Sequence, residues 1–495
     1  YNTQLTAAGG FINNQVNTLN AATNISGTSG NYTNETQSVL LSYFGRLNYS
    51  YDGKYLLSAS VRSDGSSRFG TDNQWGTFPA VSLGWRISQE NFLKNVAPLS
   101  DLKLRASLGY AGNNSIGDYS SIATLGFYNY AFGGTSGVQV TGQAPNKNSN
   151  PLLKWEKNRT FDFGADIALF NSRIYLSADY YTKTSKDLLL NIPVPTASGF
   201  GNNLVNIGEV QNKGWELALN TRNLEGALTW TTSFNFSHNE NKVVHLAPGD
   251  ARIEVAASTD TPHSILQVGL PMYSIFVVRQ NGILSQADID GKAALYGAET
   301  AGDPKYEDYN QDGKIDANDR QVVAQPNPKY TWGITNTFRY KGFDLSFLVQ
   351  GQNGGSIYSL LGRAIDRTSI SYLENGLGRD RDRWRSADNP GDGVKGKIGT
   401  NFGFIKNTDW LYSSDYFRFR FITLGYDVGR LVPKKIAQGV RVYVTAENFF
   451  GHDKYYGGLN PDAVNYSNNS TYVSGVDYGG LPLSKNLILG ANITF

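Results

Sequence analysis

Apolar and polar residues alternate with a period of two through most of this chain, in segments of about ten residues parted by Gly-, Asn-, Ser- and Asp-rich stretches, as strands with two unlike faces require. In residues 39–51, Leu41, Tyr43, Leu47 and Tyr49 alternate with Ser42, Arg46, Asn48 and Ser50. Asp52-Gly53 then turns the chain, and Tyr55, Leu57, Ala59 and Val61 carry the apolar face back. The unit recurs through Val81, Leu83, Trp85 and Ile87, and through Leu102, Leu104, Ala106, Leu108 and Tyr110. Phe161, Phe163, Ala165, Ile167 and Leu169 reverse at Asn171-Ser172 into Ile174, Leu176, Ala178 and Tyr180. Further faces follow at residues 215–219, 228–236, 330–338, 343–349, 417–428, 440–448 and 487–495. The spacing predicts an all-β chain of roughly thirteen antiparallel strands.

The connections sort by length. Those after odd-numbered strands are short, near residues 52, 90, 171, 224, 341 and 432, whereas most of those after even-numbered strands are long, as at 111–154, 184–212, 239–328, 353–414 and 450–484. A transmembrane β-barrel has this asymmetry, with short periplasmic turns and long extracellular loops; a soluble sandwich has no reason for it. Aromatics gather beside the short turns, with Tyr49, Tyr51 and Tyr55 at one and Tyr340 and Phe343 at another, as an interfacial girdle requires. In the last strand Leu487, Leu489, Ala491, Ile493 and the terminal Phe495 share one face, an arrangement that looks like the signal read by the outer-membrane barrel-assembly machinery. An odd strand count cannot close an antiparallel barrel, so further strands are expected outside this chain.

Composition agrees. Mean hydropathy is −0.37 over 495 residues, and no apolar run approaches the roughly 18 residues that a spanning helix needs. Low hydropathy is compatible with a barrel, because lipid-facing and lumen-facing residues cancel in any window. Lys plus Arg number 44 against 42 Asp plus Glu, which argues against electrostatic nucleic-acid binding, and the absence of Cys removes disulfides and thiolate chemistry.

Residues 64–87, DGSSRFGTDNQWGTFPAVSLGWRI, resemble a stretch typical of SusC-like (RagA/SusC-type) TonB-dependent transporters. LKLRASLGYAGNN from Leu102, NIGEVQNKGWELALN from Asn206, YEDYNQDGKIDANDRQV from Tyr306, YFRFRFITLGY from Tyr416 and VYVTAENFF from Val442 extend the resemblance in family order to Phe495. It implies a barrel of about 22 strands filled by an N-terminal plug, of which this chain supplies the C-terminal portion. Residues 1–38 are then expected in an extracellular loop and 39–495 in the barrel. The resemblance also implies TonB-dependent import of a nutrient, oligosaccharide or peptide, across the bacterial outer membrane, with TonB acting through the N-terminal portion and a SusD-like surface lipoprotein closing the mouth.

One motif suits a metal. Asp308, Asn310, Asp312, Gly313, Lys314, Asp316 and Asp319 fit positions 1, 3, 5, 6, 7, 9 and 12 of an EF-hand-type Ca²⁺ loop, with Lys314 contributing its carbonyl and Asp319 in place of the usual Glu. The bland alternative is a solvated acidic turn. His238, His245, His263 and His452 have no ligand spacing and are expected as ordinary surface residues. Asp162, Asp166 and Asp179 fall on the lumen face, where polarity alone accounts for them. The loop aromatics Tyr128, Tyr130, Trp384, Trp410, Tyr455 and Tyr456 are candidates for ligand contact, with loop packing the alternative. No constellation for bond chemistry is present, so the chain is expected not to be an enzyme. Two other classes remain: a soluble calcium-dependent glycan-binding or glycan-cleaving β-protein, and an ungated porin or barrel-embedded enzyme.

Overall fold

The computed structural model describes residues 8–11, 22–25, 36–132, 138–145, 147–246, 248–255, 263–366, 377–399, 405–429, 437–462 and 474–495. Thirteen long strands form an antiparallel meander in which each pairs with its neighbours in sequence. They are β1 (Leu40–Tyr51), β2 (Tyr55–Ser66), β3 (Trp75–Arg86), β4 (Leu99–Asn113), β5 (Glu156–Leu169), β6 (Ile174–Lys186) and β7 (Glu209–Leu224). The series continues with β8 (Leu228–His245), β9 (Tyr330–Tyr340), β10 (Phe343–Asn353), β11 (Tyr416–Asp427), β12 (Gly439–Glu447) and β13 (Asn486–Thr494). The short strand Gly451–Asp453 also pairs with β11 and makes the sheet 14-stranded. Among the described residues β1 and β13 are its two edges.

Register confirms the two faces. Tyr49 lies opposite Leu57, then Leu83, Ala106, Phe163, Tyr180 and Trp215, one apolar row crossing seven strands. This face is widely exposed: Tyr43 is 63% exposed, Leu83 57% and Leu489 78%. Such a continuous apolar belt far exceeds what a water-soluble surface carries, and lipid is the medium that accounts for it. No helix among the described residues is long and apolar enough to cross a membrane.

The hydrophobic cores lie at the long-loop end, in the connections and in the strand ends that enter them, such as Phe78, Val210 and Val243. The connections carry small sheets that strand alternation did not anticipate: the hairpins Leu125–Phe132 with Val138–Pro145 and Leu189–Pro193 with Asn202–Asn206, and a four-stranded sheet of Ile253–Val255, Ser264–Leu266, Ser274–Val278 and Arg320–Ala324. Ile275, Val277, Tyr358, Leu360, Trp410 and Val476 make the largest buried cluster. The leading segment has a hairpin of its own, Ala8–Phe11 with Ala22–Ile25, and the Gln37 amide donates to the Tyr119 hydroxyl on the long-loop side.

Candidate functional site

The polar face of the sheet carries ion pairs placed by register. Arg105 on β4, Gly164 on β5 and Asp179 on β6 lie in one row. With no side chain on the middle strand, the Arg105 guanidinium crosses it to Asp179 at 2.9 Å while also holding Asp166 at 2.9 Å. A Cβ on Gly164 would sit 2.0 Å from an Asp179 carboxylate oxygen, so the crossing needs glycine there. Ser177 donates to Asp166 at 3.0 Å. The device recurs at the other end of the sheet, where Arg441 on β12 reaches over Gly425 on β11 to Asp344 on β10 at 2.5 and 2.7 Å. Asp166 and Asp179 thus serve a shared cation and do not form a proton-sharing pair. Asn48, Ser58, Ser82, Lys103, Arg105 and Asp162 border a depression of about 530 Å³. Sequence alternation placed these residues on one face and missed the glycine-bridged pairs; a glycine standing between Arg and Asp at lumen-facing sites was the available signal.

The acidic loop adopts a tight wrap. Asp308 accepts from the Gly313 amide at 2.9 Å, Asn310 from the Asp312 amide at 3.0 Å and Asp312 from the Lys314 amide at 3.1 Å. Gly313 has φ +85°, the left-handed conformation expected at position 6. Asp316 caps a 3₁₀ turn over Ala317–Asp319, and its carboxyl is held below the usual range first by the Asn318 amide and then by Lys314. Asp319 is fully buried and ties the loop's ends together, accepting from Tyr309 at 2.9 Å and Asp316 at 2.6 Å. Among the described residues no three His, Cys, Asp or Glu side chains converge as a metal-holding group. The donor set is nonetheless all oxygen, supplemented by the Asn310 amide oxygen and the Lys314 carbonyl, which suits a hard cation.

The candidate aromatics divide. Trp410 and Tyr455 are 1% and 3% exposed, which fits the packing alternative for these two: long loops need cores of their own, and large rings supply them. Trp410 donates its indole N–H to the Asp366 carbonyl at 3.1 Å. Tyr455 donates to Asp477 at 2.6 Å, and burial, aided by that bond, drives its hydroxyl pKa far above normal. Trp384 lies over Gly302, whose Cβ would meet the ring at 2.5 Å. Tyr456 is 70% exposed and stays available. Tyr128 and Tyr130 fall in Leu125–Phe132, with side chains outside the described residues.

His263 corrects the expectation of a surface residue. It is fully buried and stacks on Tyr358 at 5.7 Å, inside the crown of loops. The crown also buries Lys395 between Asp366 and Asp409, at 3.3 and 2.5 Å, a charge cluster that no spacing in the sequence announced. In β13, Leu487, Leu489 and Ile493 continue the exposed apolar belt, Ala491 shares their face, and Phe495 is 82% exposed.

Residues 1–261 match the family described as TonB dependent receptor-like, beta-barrel. The chain is 33% identical to "TonB-dependent receptor P3" of Formosa agariphila, over 98% of this chain and 48% of that protein. It is 32% identical to "TonB-dependent receptor SusC" of Bacteroides thetaiotaomicron, over 93% of this chain and 44% of that protein. The RagAB peptide importer in its open-open state superposes with a TM-score of 0.78 and 25% identity, over 95% of this chain and 49% of that one. The chain thus spans about half the length of the relatives it matches. With the exposed apolar belt and the sorted loops, these likenesses identify an outer-membrane β-protein of SusC/RagA type. The chain belongs to the TonB-dependent receptor-like β-barrel family.

Proposed function

We propose that this chain is the C-terminal part of the barrel of an energised nutrient importer of the outer membrane. The observation that carries this reading is the pair of bare edges that β1 and β13 make among the described residues, on a sheet whose apolar face carries exposed large side chains from Tyr43 on β1 to Leu489 on β13, in a chain half the length of its relatives. Unpaired strand edges do not persist in lipid, because each exposed N–H and C=O there costs several kcal/mol. Further strands, to about 22, would close the sheet, and a plug would fill it. The polar face, with its crossing ion pairs, then lines the lumen against the plug. Force delivered through TonB would remodel that plug, and a SusD-like lipoprotein would cover the crown, trapping an oligosaccharide or peptide beneath it. Residues 1–38 belong to the extracellular side in this arrangement, and Leu487, Leu489, Ala491, Ile493 and Phe495 present the strand that the assembly machinery reads. The likeness to the RagAB peptide importer supports a peptide cargo, and oligosaccharide is the other class to be tested. Growth on defined oligosaccharides and peptides tests the reading: deletion of the whole gene and deletion of TonB should abolish use of the same nutrient, and uptake indifferent to TonB would defeat it.

Asp308, Asn310, Asp312, Asp316, Asp319 and the Lys314 carbonyl would hold one Ca²⁺, bracing the crown. The spacing, the left-handed Gly313 and the all-oxygen donor set support this. Calorimetry on the whole protein should show uptake at millimolar Ca²⁺ or below that Asp312→Ala removes. Absence of uptake in the unsubstituted protein would leave an ordinary capped turn.

A further inference from the structure

The apolar face is not flush near the short turns of β1–β5. Tyr49, Leu57, Leu83 and Phe163 surround a groove of about 380 Å³, in which Ala106 lies between Leu83 and Phe163 in the pairing row. Tyr55 and Trp85 close its turn-side end, stacked with centroids 6.4 Å apart, and Tyr51 extends the stack at 6.4 Å. The polar tips of the two closing rings meet a single carboxylate: Glu90 accepts from the Tyr55 hydroxyl at 2.6 Å and from the Trp85 indole at 3.1 Å. Its other oxygen is 3.6 Å from Lys54, which is 3.4 Å from Asp52. An apolar slot therefore runs directly into a cluster of one cation and two carboxylates at the height of the girdle.

We propose that this groove holds one phospholipid of the surrounding leaflet and selects a zwitterionic headgroup bearing a primary ammonium, as in phosphatidylethanolamine. An acyl chain fills the slot over Ala106, as apolar area removed from other chains' imperfect packing. Lys54 takes the phosphate, while the Glu90 and Asp52 carboxylates receive the ammonium. Two carboxylates against one lysine leave the cluster net negative, which disfavours a net anionic headgroup. The inference rests on the outward, lipid-facing reading of the apolar belt.

The test is native mass spectrometry of the whole transporter taken from vesicles of equal phosphatidylethanolamine and phosphatidylglycerol. Retained phosphatidylethanolamine should exceed phosphatidylglycerol by about two- to fivefold, the range that one or two partly exposed ionic contacts provide. Glu90→Gln, at the rim, should bring the ratio to about one, and Ala106→Trp should lower total retention by filling the slot. Equal retention by the unsubstituted protein overturns the proposal, as does a preference that survives Glu90→Gln. Loss of lipid preference with nutrient uptake intact counts against this site alone, whereas TonB-independent uptake with preference intact counts against the importer alone.

Discussion

A charge moved by one residue along β3 should change cost by its face. Val81 and Ser82 are neighbours, yet Val81 pairs with Ala59 and Leu108 on the belt while Ser82 pairs with Ser58 and Ser107 on the polar side. Val81 stands five residues before Arg86, where β3 ends at the short turn. With a rise of about 3.4 Å per residue and a tilt of about 40°, that places it about 13 Å from the turn, the middle of a belt about 25 Å tall. Val81→Arg should therefore cost about 2–4 kcal/mol. Leu83, two residues nearer the turn, lies at about 8 Å, so Leu83→Arg should cost an intermediate amount, about 1–3 kcal/mol, and impair assembly. Ser82→Arg, on the polar lumen face, should cost less than about 1 kcal/mol. Urea unfolding of the whole transporter in lipid vesicles measures all three, with surface level in cells as a second readout. A Ser82→Arg cost equal to that of Val81→Arg would refute the assignment of faces, as would normal stability and surface level for both belt variants.

Gly164→Ala should destabilise the sheet by about 1–3 kcal/mol, since its methyl would overlap Asp179 and force Arg105 off one partner; unfolding of the variant beside Ser82→Arg checks this. Trp410→Ala should cost the loop crown about 3–5 kcal/mol through lost packing, while Tyr456→Ala should leave stability unchanged because its ring is exposed; limited proteolysis of the crown distinguishes them. Asp288 has its pKa lowered to about 2, first by Lys305 and then by Ser285. A carboxyl depressed in the folded state adds stability above its unfolded pKa, near 4, and that contribution fades as pH falls through about 2. A ¹³C carboxyl titration should therefore find a midpoint near 2 that returns toward 4 in Lys305→Ala; an unperturbed midpoint in the unsubstituted protein would deny the pairing.

Much of the sheet is legible because a strand in lipid is constrained on both faces. Leu41, Tyr43 and Leu47 alternate with Ser42, Arg46 and Asn48, broken only at Phe44-Gly45, so β1 is evident and its partners follow by register. Short turns such as Asp52-Gly53 announce themselves through residues with positive φ. The crown is opaque for the opposite reason. Strands of three to five residues, such as Ser274–Val278, are too short for a period to emerge, and fully buried on both sides they read as a plain apolar run. The same limit affects the candidate site. Trp410 and Tyr456 look alike in a polar loop, and only the folded crown separates a ring buried on Tyr358 and Val476 from one left in solvent. The ion pairs Arg105–Asp179 and Lys395–Asp409 join residues that no local spacing links.

In the proposed importer this sheet is completed by further strands and a plug. Intact mass spectrometry under denaturing conditions, on the assembly extracted from outer membranes and with peptide mapping upstream of Tyr1, addresses it directly. A plugged importer requires additional polypeptide, covalently joined or as a companion chain, sufficient for the remaining strands and the plug. An assembly whose entire polypeptide is these 495 residues would contradict it and end the case for TonB-driven import.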